Sequence, residues 1–141
     1  MKDYLFIILN EYLKGEGIYL NSSELELQII SHPSYPSLHS LTSVLDHFNI
    51  DNVAVEVPLT IEVFNKLPQS FITLIKVDGG QGFAIVSKYK ADLVKVRYSK
   101  KKKSIVKIHE FLDIWSGIVV AAETHSKQEE KRKKIKIVRY L

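Results

Sequence analysis

The sequence predicts an α+β domain in which helices come first and a mostly antiparallel sheet follows. Two observations carry this. Apolar residues recur at helical spacing through the first 48 positions, and after Asn49 the pattern switches to strand-like alternation. Turn signals then separate several short apolar runs, which favours hairpins over long parallel crossovers. The bulk figures agree with one globular domain. The chain has 141 residues, 45% hydrophobic and 26% charged, enough to bury roughly two-thirds of its unfolded surface without a metal or disulfide staple.

In the first half, Leu5, Ile8, Leu9 and Leu13 form a stripe that Phe6 and Tyr12 widen, so residues 3–14 read as a helix stopped by Gly15 and Gly17. Ser23 and Glu26 have capping-box spacing ahead of Leu25, Leu27, Ile29 and Ile30. That second helix must end before His32-Pro33, because a residue preceding proline avoids helical backbone. His32-Pro33-Ser34-Tyr35-Pro36 is a rigid bend. Ser37 can cap a third helix whose Leu38, Leu41, Val44, Leu45 and Phe48 share a face.

In the second half, Val53, Val55 and Val57 alternate as in a half-buried strand. Thr60 opens a short helix with Ile61, Phe64 and Leu67, closed by Pro68. Strands are expected at Phe71–Val77, Gly82–Lys88 and Leu93–Tyr98, the first two joined by a tight turn at Asp78-Gly79-Gly80. Ser104–Lys107 reads as another strand, Ile108–Trp115 as a short amphipathic helix with Trp115 in the core, and Ile118–Ala122 as a last apolar strand. The domain is expected to span residues 1–123, with 124–141 as a basic tail or linker.

Charge is unevenly spread. The tail holds seven Lys/Arg against two Glu, a local +5, which leaves residues 1–123 with 13 basic and 14 acidic side chains. Lys100–Lys103 reads as a solvated hairpin tip. With only Tyr98 nearby, it lacks the interleaved aromatics of a nucleic-acid surface, so no nucleic-acid partner is expected. No apolar run reaches the ~18 residues of a membrane span. Zero cysteines exclude a disulfide framework, a Cys-based zinc site and a cysteine nucleophile within these residues. They fit a reducing, cytoplasmic setting.

Chemistry-bearing motifs are few. His39 and His47 lie eight apart on one helix, about 12 Å along its axis, too far to share an ion. His32, His109 and His125 add no ligand spacing, so neither metal nor cofactor is expected. The G-x-S-x-G elbow is missing, and the glycines of Asp78–Gly82 join two strands instead of opening a helix onto a phosphate.

Three stretches, taken in order, nevertheless resemble a family. His32-Pro33-Ser34-Tyr35-Pro36-Ser37-Leu38, running to Asp46-His47-Phe48-Asn49-Ile50 and Val53-Ala54-Val55, is similar to a helix that opens on Ser-Leu and leads into a strand. Leu67-Pro68-Gln69-Ser70-Phe71 and Gly80-Gln81-Gly82-Phe83-Ala84-Ile85-Val86 resemble a Leu-Pro-x-Pro strand and a Gly-x-His-Phe-Val-Val strand. Glu110-Phe111-Leu112-Asp113-Ile114-Trp115-Ser116-Gly117 resembles a closing Glu-Phe-x-x-x-Trp-x-Gly segment. Together these resemble the bacteriocin-processing, double-glycine-leader cysteine peptidases, which implies a papain-like fold.

The departures from that family are as informative as the likeness. Asp3, Tyr4 and Leu5 stand where the family's nucleophilic cysteine opens the first helix, Gly82 stands in the base histidine's place, and Arg97-Tyr98-Ser99 replace the aspartate turn. A nucleophile, its base and its orienter act as a unit, so the resemblance implies a pseudo-peptidase. The expected geometry brings residues 3–6 close to Gly82, with Arg97–Ser99 beside Gly82 on the next strand. The expected peptide groove is Tyr4, Tyr35, Pro36, Gly80, Gln81, Gly82, Phe83 and Tyr98. The His-Pro-x-Tyr-Pro-Ser-Leu stretch is similar to degenerate domains fused to vitamin K epoxide reductase-like membrane oxidoreductases or peptide-exporting ABC transporters. That implies a place at the cytoplasmic face of a membrane, a peptide or a fused membrane domain as partner, and a basic tail facing anionic lipid. Two alternatives stand beside this reading. One is a hydrolase with a relocated set (Tyr98, His109, Asp113), and the other is a structural cap on a fused membrane domain.

Overall fold

The computed structural model describes residues 4–99 and 102–123. Lys100, Lys101 and the expected tail lie outside the described residues, and so does Asp3. In chain order the elements are α1 (Leu5–Gly15), α2 (Ser22–Ile30), α3 (Leu38–His47), β1 (Asn52–Glu56), α4 (Ile61–Lys66), β2 (Ser70–Val77), β3 (Gly80–Lys88), β4 (Leu93–Arg97), β5 (Lys103–Lys107), α5 (Ile108–Ile114) and β6 (Ile118–Ala122). The strands form one sheet in the order β1-β6-β2-β3-β4-β5, every pairing antiparallel. The period switch near residue 50 is the boundary between the helical layer and this sheet.

Local chemistry sets the helix ends. Ser37 and Ser40 form a reciprocal capping box at α3, and Thr60 caps α4 by accepting from the Val63 N–H at 3.1 Å. At α2 the cap differs from the expected Ser23–Glu26 box. Asn21 accepts from the Glu24 N–H at 3.0 Å, two residues earlier, because an amide oxygen caps as well as a hydroxyl and sits just outside the first turn.

Strand alternation divides the core in two. Ile72 of β2, Val120 of β6 and Ala54 of β1 face α1–α3 and join Leu5, Ile8, Leu9, Leu25, Leu41 and Leu45. Phe71, Ile75, Ala84, Val86, Val94 and Val119 face the other way, onto α4 and α5. There Phe64, Phe71, Phe111 and Trp115 interlock with ring centroids 5.3–6.3 Å apart. Helices therefore cover both faces of the sheet. The short α4 and α5 seal the far face, and this is why Ala54 and Val55 of β1 are both buried where a half-buried strand was expected.

The hairpin between β2 and β3 closes on Val77↔Gly80, with Gly79 in the left-handed region at φ 82. Gly117 is more constrained still. At φ +86, a Cβ added there would stand 2.7 Å from the Val57 carbonyl oxygen, while Val57 N–H donates to the Gly117 carbonyl at 2.8 Å.

Candidate functional site

A cleft of about 840 Å³ opens where the helical layer meets the hairpin end of the sheet. One wall is Tyr4 and Leu5 at the start of α1 with Pro36, Ser37 and Leu38 leading into α3. The floor is Leu74–Val77 of β2, Asp78 of the hairpin turn and Gln81–Phe83 of β3. The far wall is Val96, Tyr98, Ser104 and Val106 of the β4–β5 hairpin with Ile114 of α5. The N-terminal helix thus begins at the cleft because its own apolar stripe packs on the α1–α3 face of the sheet (the upper face, opposite the lower face that α4 and α5 cover), leaving its first turn at the sheet's end.

The backbone of β3 is half open here. β4 pairs with β3 only over Ile85–Lys88, and among the described residues no strand pairs with Gly80–Ala84 on that side. Lys88 N–H donates to the Gln69 carbonyl at 2.9 Å, so even-numbered residues of β3 turn their backbone groups toward β2. Gln81 and Phe83 turn theirs toward the cleft. A strand edge with apolar walls on both sides is the result.

Six of the eight expected groove residues line this cleft: Tyr4, Pro36, Gln81, Gly82, Phe83 and Tyr98. Tyr35 instead packs against the upper core, behind a cis Tyr35–Pro36 bond. Gly80 ends the hairpin in open space, with nothing within 4 Å of an added Cβ. Tyr4, Leu5 and Gly82 line the same cleft, while within 4 Å of a Cβ added at Gly82 stands Val77. Two details differ. Gly82 has the parity of Ala84 and Val86, so a side chain there would point to the lower face, 3.4 Å from Val77, whereas Phe83 packs on the α1 side. Arg97 stands opposite Ile85 rather than Gly82, and its guanidinium reaches α1 to meet Glu11 at 3.0 Å.

The alternative hydrolytic set is not assembled. His109 and Asp113 are exposed on α5, whose contribution to the cleft is Ile114; Tyr98 is the one member inside it. Trp115 is 2% exposed, and its Nε1–H donates to Thr73 Oγ1 at 3.0 Å and to the Ile118 carbonyl at 3.2 Å, so it is core, as expected. Among the described residues no group of His, Asp and Glu could hold a metal ion. No helix of the described residues is long and apolar enough to cross a membrane. Sequence reasoning missed the β2 part of the floor, Leu74–Val77, and Asp78 beside it, although the Asp78-Gly79 turn already tied that segment to β3.

Residues 3–127 match the sequence profile of the Peptidase C39 family. The chain belongs to that family. Its fold is that of the peptidase domain of Streptococcus ComA, a bi-functional ABC transporter involved in a quorum sensing pathway, with a TM-score of 0.67 at 13% identity over 84% of this chain and 88% of that one. It is equally close to a double glycine motif protease from an AMS/PCAT transporter in complex with the leader peptide, with a TM-score of 0.67 at 10% identity over 86% and 85% of the two chains. A Streptococcus mutans ComA peptidase domain superposes at a TM-score of 0.57, at 13% identity over 72% and 86%. A search of curated proteins finds no match. The C39 domain described here thus keeps the family's papain-like architecture, while its 141 residues contain no cysteine.

Proposed function

We propose that this C39 domain is a non-catalytic member of its family that holds an extended peptide in the cleft between α1 and the β4–β5 hairpin. The observation that carries the reading is the edge of β3 at Gln81–Phe83, which no strand among the described residues pairs on the cleft side, flanked by the apolar surfaces of Tyr4, Leu5, Pro36, Phe83 and Tyr98. Such an edge offers an incoming strand backbone donors and acceptors, and the walls offer pockets for alternate side chains. The leader peptide in the structure of the AMS/PCAT protease supports a peptide ligand for this fold. The absence of any thiol from the 141 residues supports binding in place of cysteine-protease chemistry.

The context proposed for the domain is the cytoplasmic side of a membrane protein, either a peptide exporter or a vitamin K epoxide reductase-like oxidoreductase. Residues 1–123 would be the folded unit and 124–141 the link. Titration of the full chain with a fluorescent double-glycine leader peptide, followed by anisotropy, tests the binding step. Saturable binding that Gln81→Pro weakens is the expected result. Absence of binding up to millimolar peptide would overturn the reading.

A further inference from the structure

The charge of the folded domain is strongly polarised. Lys88–Lys107 holds nine Lys/Arg against Asp92 as its one acid, while the other residues of 1–123 hold four basic and thirteen acidic side chains. The strand register sorts the basic residues by face. Leu93↔Lys107, Lys95↔Ile105 and Arg97↔Lys103 are directly opposed pairs, so these six side chains share one side of the β4–β5 hairpin. Val94 and Val96 occupy the opposite side and are buried in the lower core.

We propose that this solvent-facing side of β4–β5 docks on an anionic phospholipid bilayer. Lys95, Lys103 and Lys107 are exposed, and between them Ile105 leaves 52% of its surface in water. Cations around a protruding aliphatic side chain suit a headgroup layer over an acyl boundary. The same observations disfavour nucleic acid. Tyr89, the exposed aromatic of the patch, has the ammonium groups of Lys90 and Lys95 over its ring at 5.4 and 5.2 Å, which covers the face a base would stack on. Arg97, the patch's guanidinium, is engaged by Glu11. What is left is compact lysine charge, with Lys95 and Lys103 beside a shallow recess that α1 closes with Glu11, Tyr12 and Gly15, suited to mobile phosphates and without a fork for reading bases. This inference does not depend on peptide binding, because Lys95, Lys103, Ile105 and Lys107 are not among the residues that line the cleft.

The test uses the full chain and co-sedimentation with vesicles of phosphatidylcholine alone or with about a third phosphatidylglycerol. Binding is expected on the anionic vesicles only and should fade with added salt. Lys95→Gln/Lys103→Gln/Lys107→Gln, with the tail intact, should weaken it by on the order of a hundredfold, roughly fivefold per lysine. A circular dichroism melt confirms that the variant is folded. The proposal is overturned by equal binding to both vesicle types or by no binding at all. It is equally overturned by a triple variant that loses less than about fivefold, which would assign the binding to the basic residues of 124–141. Lysine-dependent capture of an oligonucleotide without vesicle binding, or a lysine-dependent self-association seen by sedimentation velocity in its place, also overturns it.

Discussion

The hydroxyl of Tyr12 on α1 accepts a hydrogen bond from the backbone N–H of Ala122 on β6 at 2.8 Å, across 110 residues of sequence. Both residues are almost fully buried. The bond ties the first helix to the strand that completes the sheet, and it supplies a partner for an N–H that would otherwise be stranded away from water. Tyr12→Phe keeps the ring and removes the acceptor. It should lower unfolding stability by about 1–3 kcal/mol, the cost of an orphaned buried donor. Urea denaturation with an unchanged slope checks it; a loss under a few tenths would mean that Ala122 finds another acceptor.

Tyr12 also predicts behaviour in alkali. Burial, and then the Glu16 carboxylate, push its hydroxyl well above the ordinary value near 10, against the lowering effect of the Ala122 N–H. The folded state therefore holds the phenolic proton longer than the unfolded chain does. This contribution is fully present below about pH 10 and is lost as pH rises toward the raised folded-state value. Comparing wild type with Tyr12→Phe between pH 9 and 12 should show a shallower alkaline decline in the variant, as an order-of-magnitude expectation from linkage. Parallel curves would mean that Tyr12 ionises alike in both states.

Trp115 is the chain's single tryptophan, so its emission reports on the lower core. Its Nε1–H is shared between Thr73 Oγ1 and the Ile118 carbonyl, and the Thr73 hydroxyl itself donates to that carbonyl. Thr73→Val removes the shared hydroxyl at nearly constant volume. The indole keeps one acceptor, so the expected loss is about 1–2 kcal/mol with a native emission maximum still characteristic of burial. A red-shifted native spectrum would show that the ring had moved.

Gly117 and Gly15 make a contrasting pair. Gly117→Ala must accommodate φ +86 and a Cβ at 2.7 Å from the Val57 oxygen, so a destabilisation of at least about 2 kcal/mol is expected. Gly15 has nothing within 4 Å of an added Cβ and ends α1 with ordinary φ, so Gly15→Ala should be neutral or stabilising by up to about 1 kcal/mol. Thermal melts of the two variants decide it. Equal effects would remove the local argument at Gly117.

Much of this architecture is legible from local patterns. The Ser37 and Thr60 caps, the Asp78-Gly79 hairpin and the β strands announce themselves, because a cap or a two-residue turn is chemistry within four neighbouring residues. The short helices α4 and α5 were legible too, but not that they form a second layer, because only the aromatic packing of Phe64, Phe111 and Trp115 shows which face they cover. Cleft residues were found where they carried a motif, at Gln81–Phe83 and Pro36. Leu74 and Ile114 were missed because their apolar side chains look the same whether they face a core or a groove. The direction of residue 82 was missed for a different reason. A motif gives position along a strand, and the face depends on register with β2 and β4.

That last point has a chemical test. Tyr4 and Phe83 both pack on the α1 side of the sheet and both line the cleft, whereas a side chain at 82 would turn toward Val77. A thiol introduced by Tyr4→Cys should therefore feel an imidazole at 83 and not one at 82. The pH dependence of alkylation of Tyr4→Cys/Phe83→His should show a thiolate forming about one unit or more below that of Tyr4→Cys alone, because a neighbouring imidazolium favours the charged sulfur. Tyr4→Cys/Gly82→His should match the single variant. If the imidazole at 82 depresses the thiol instead, residue 82 turns its side chain toward α1. The β2–β3 register, and with it the assignment of Gln81 and Phe83 as the open edge of the cleft, would then be wrong by one residue.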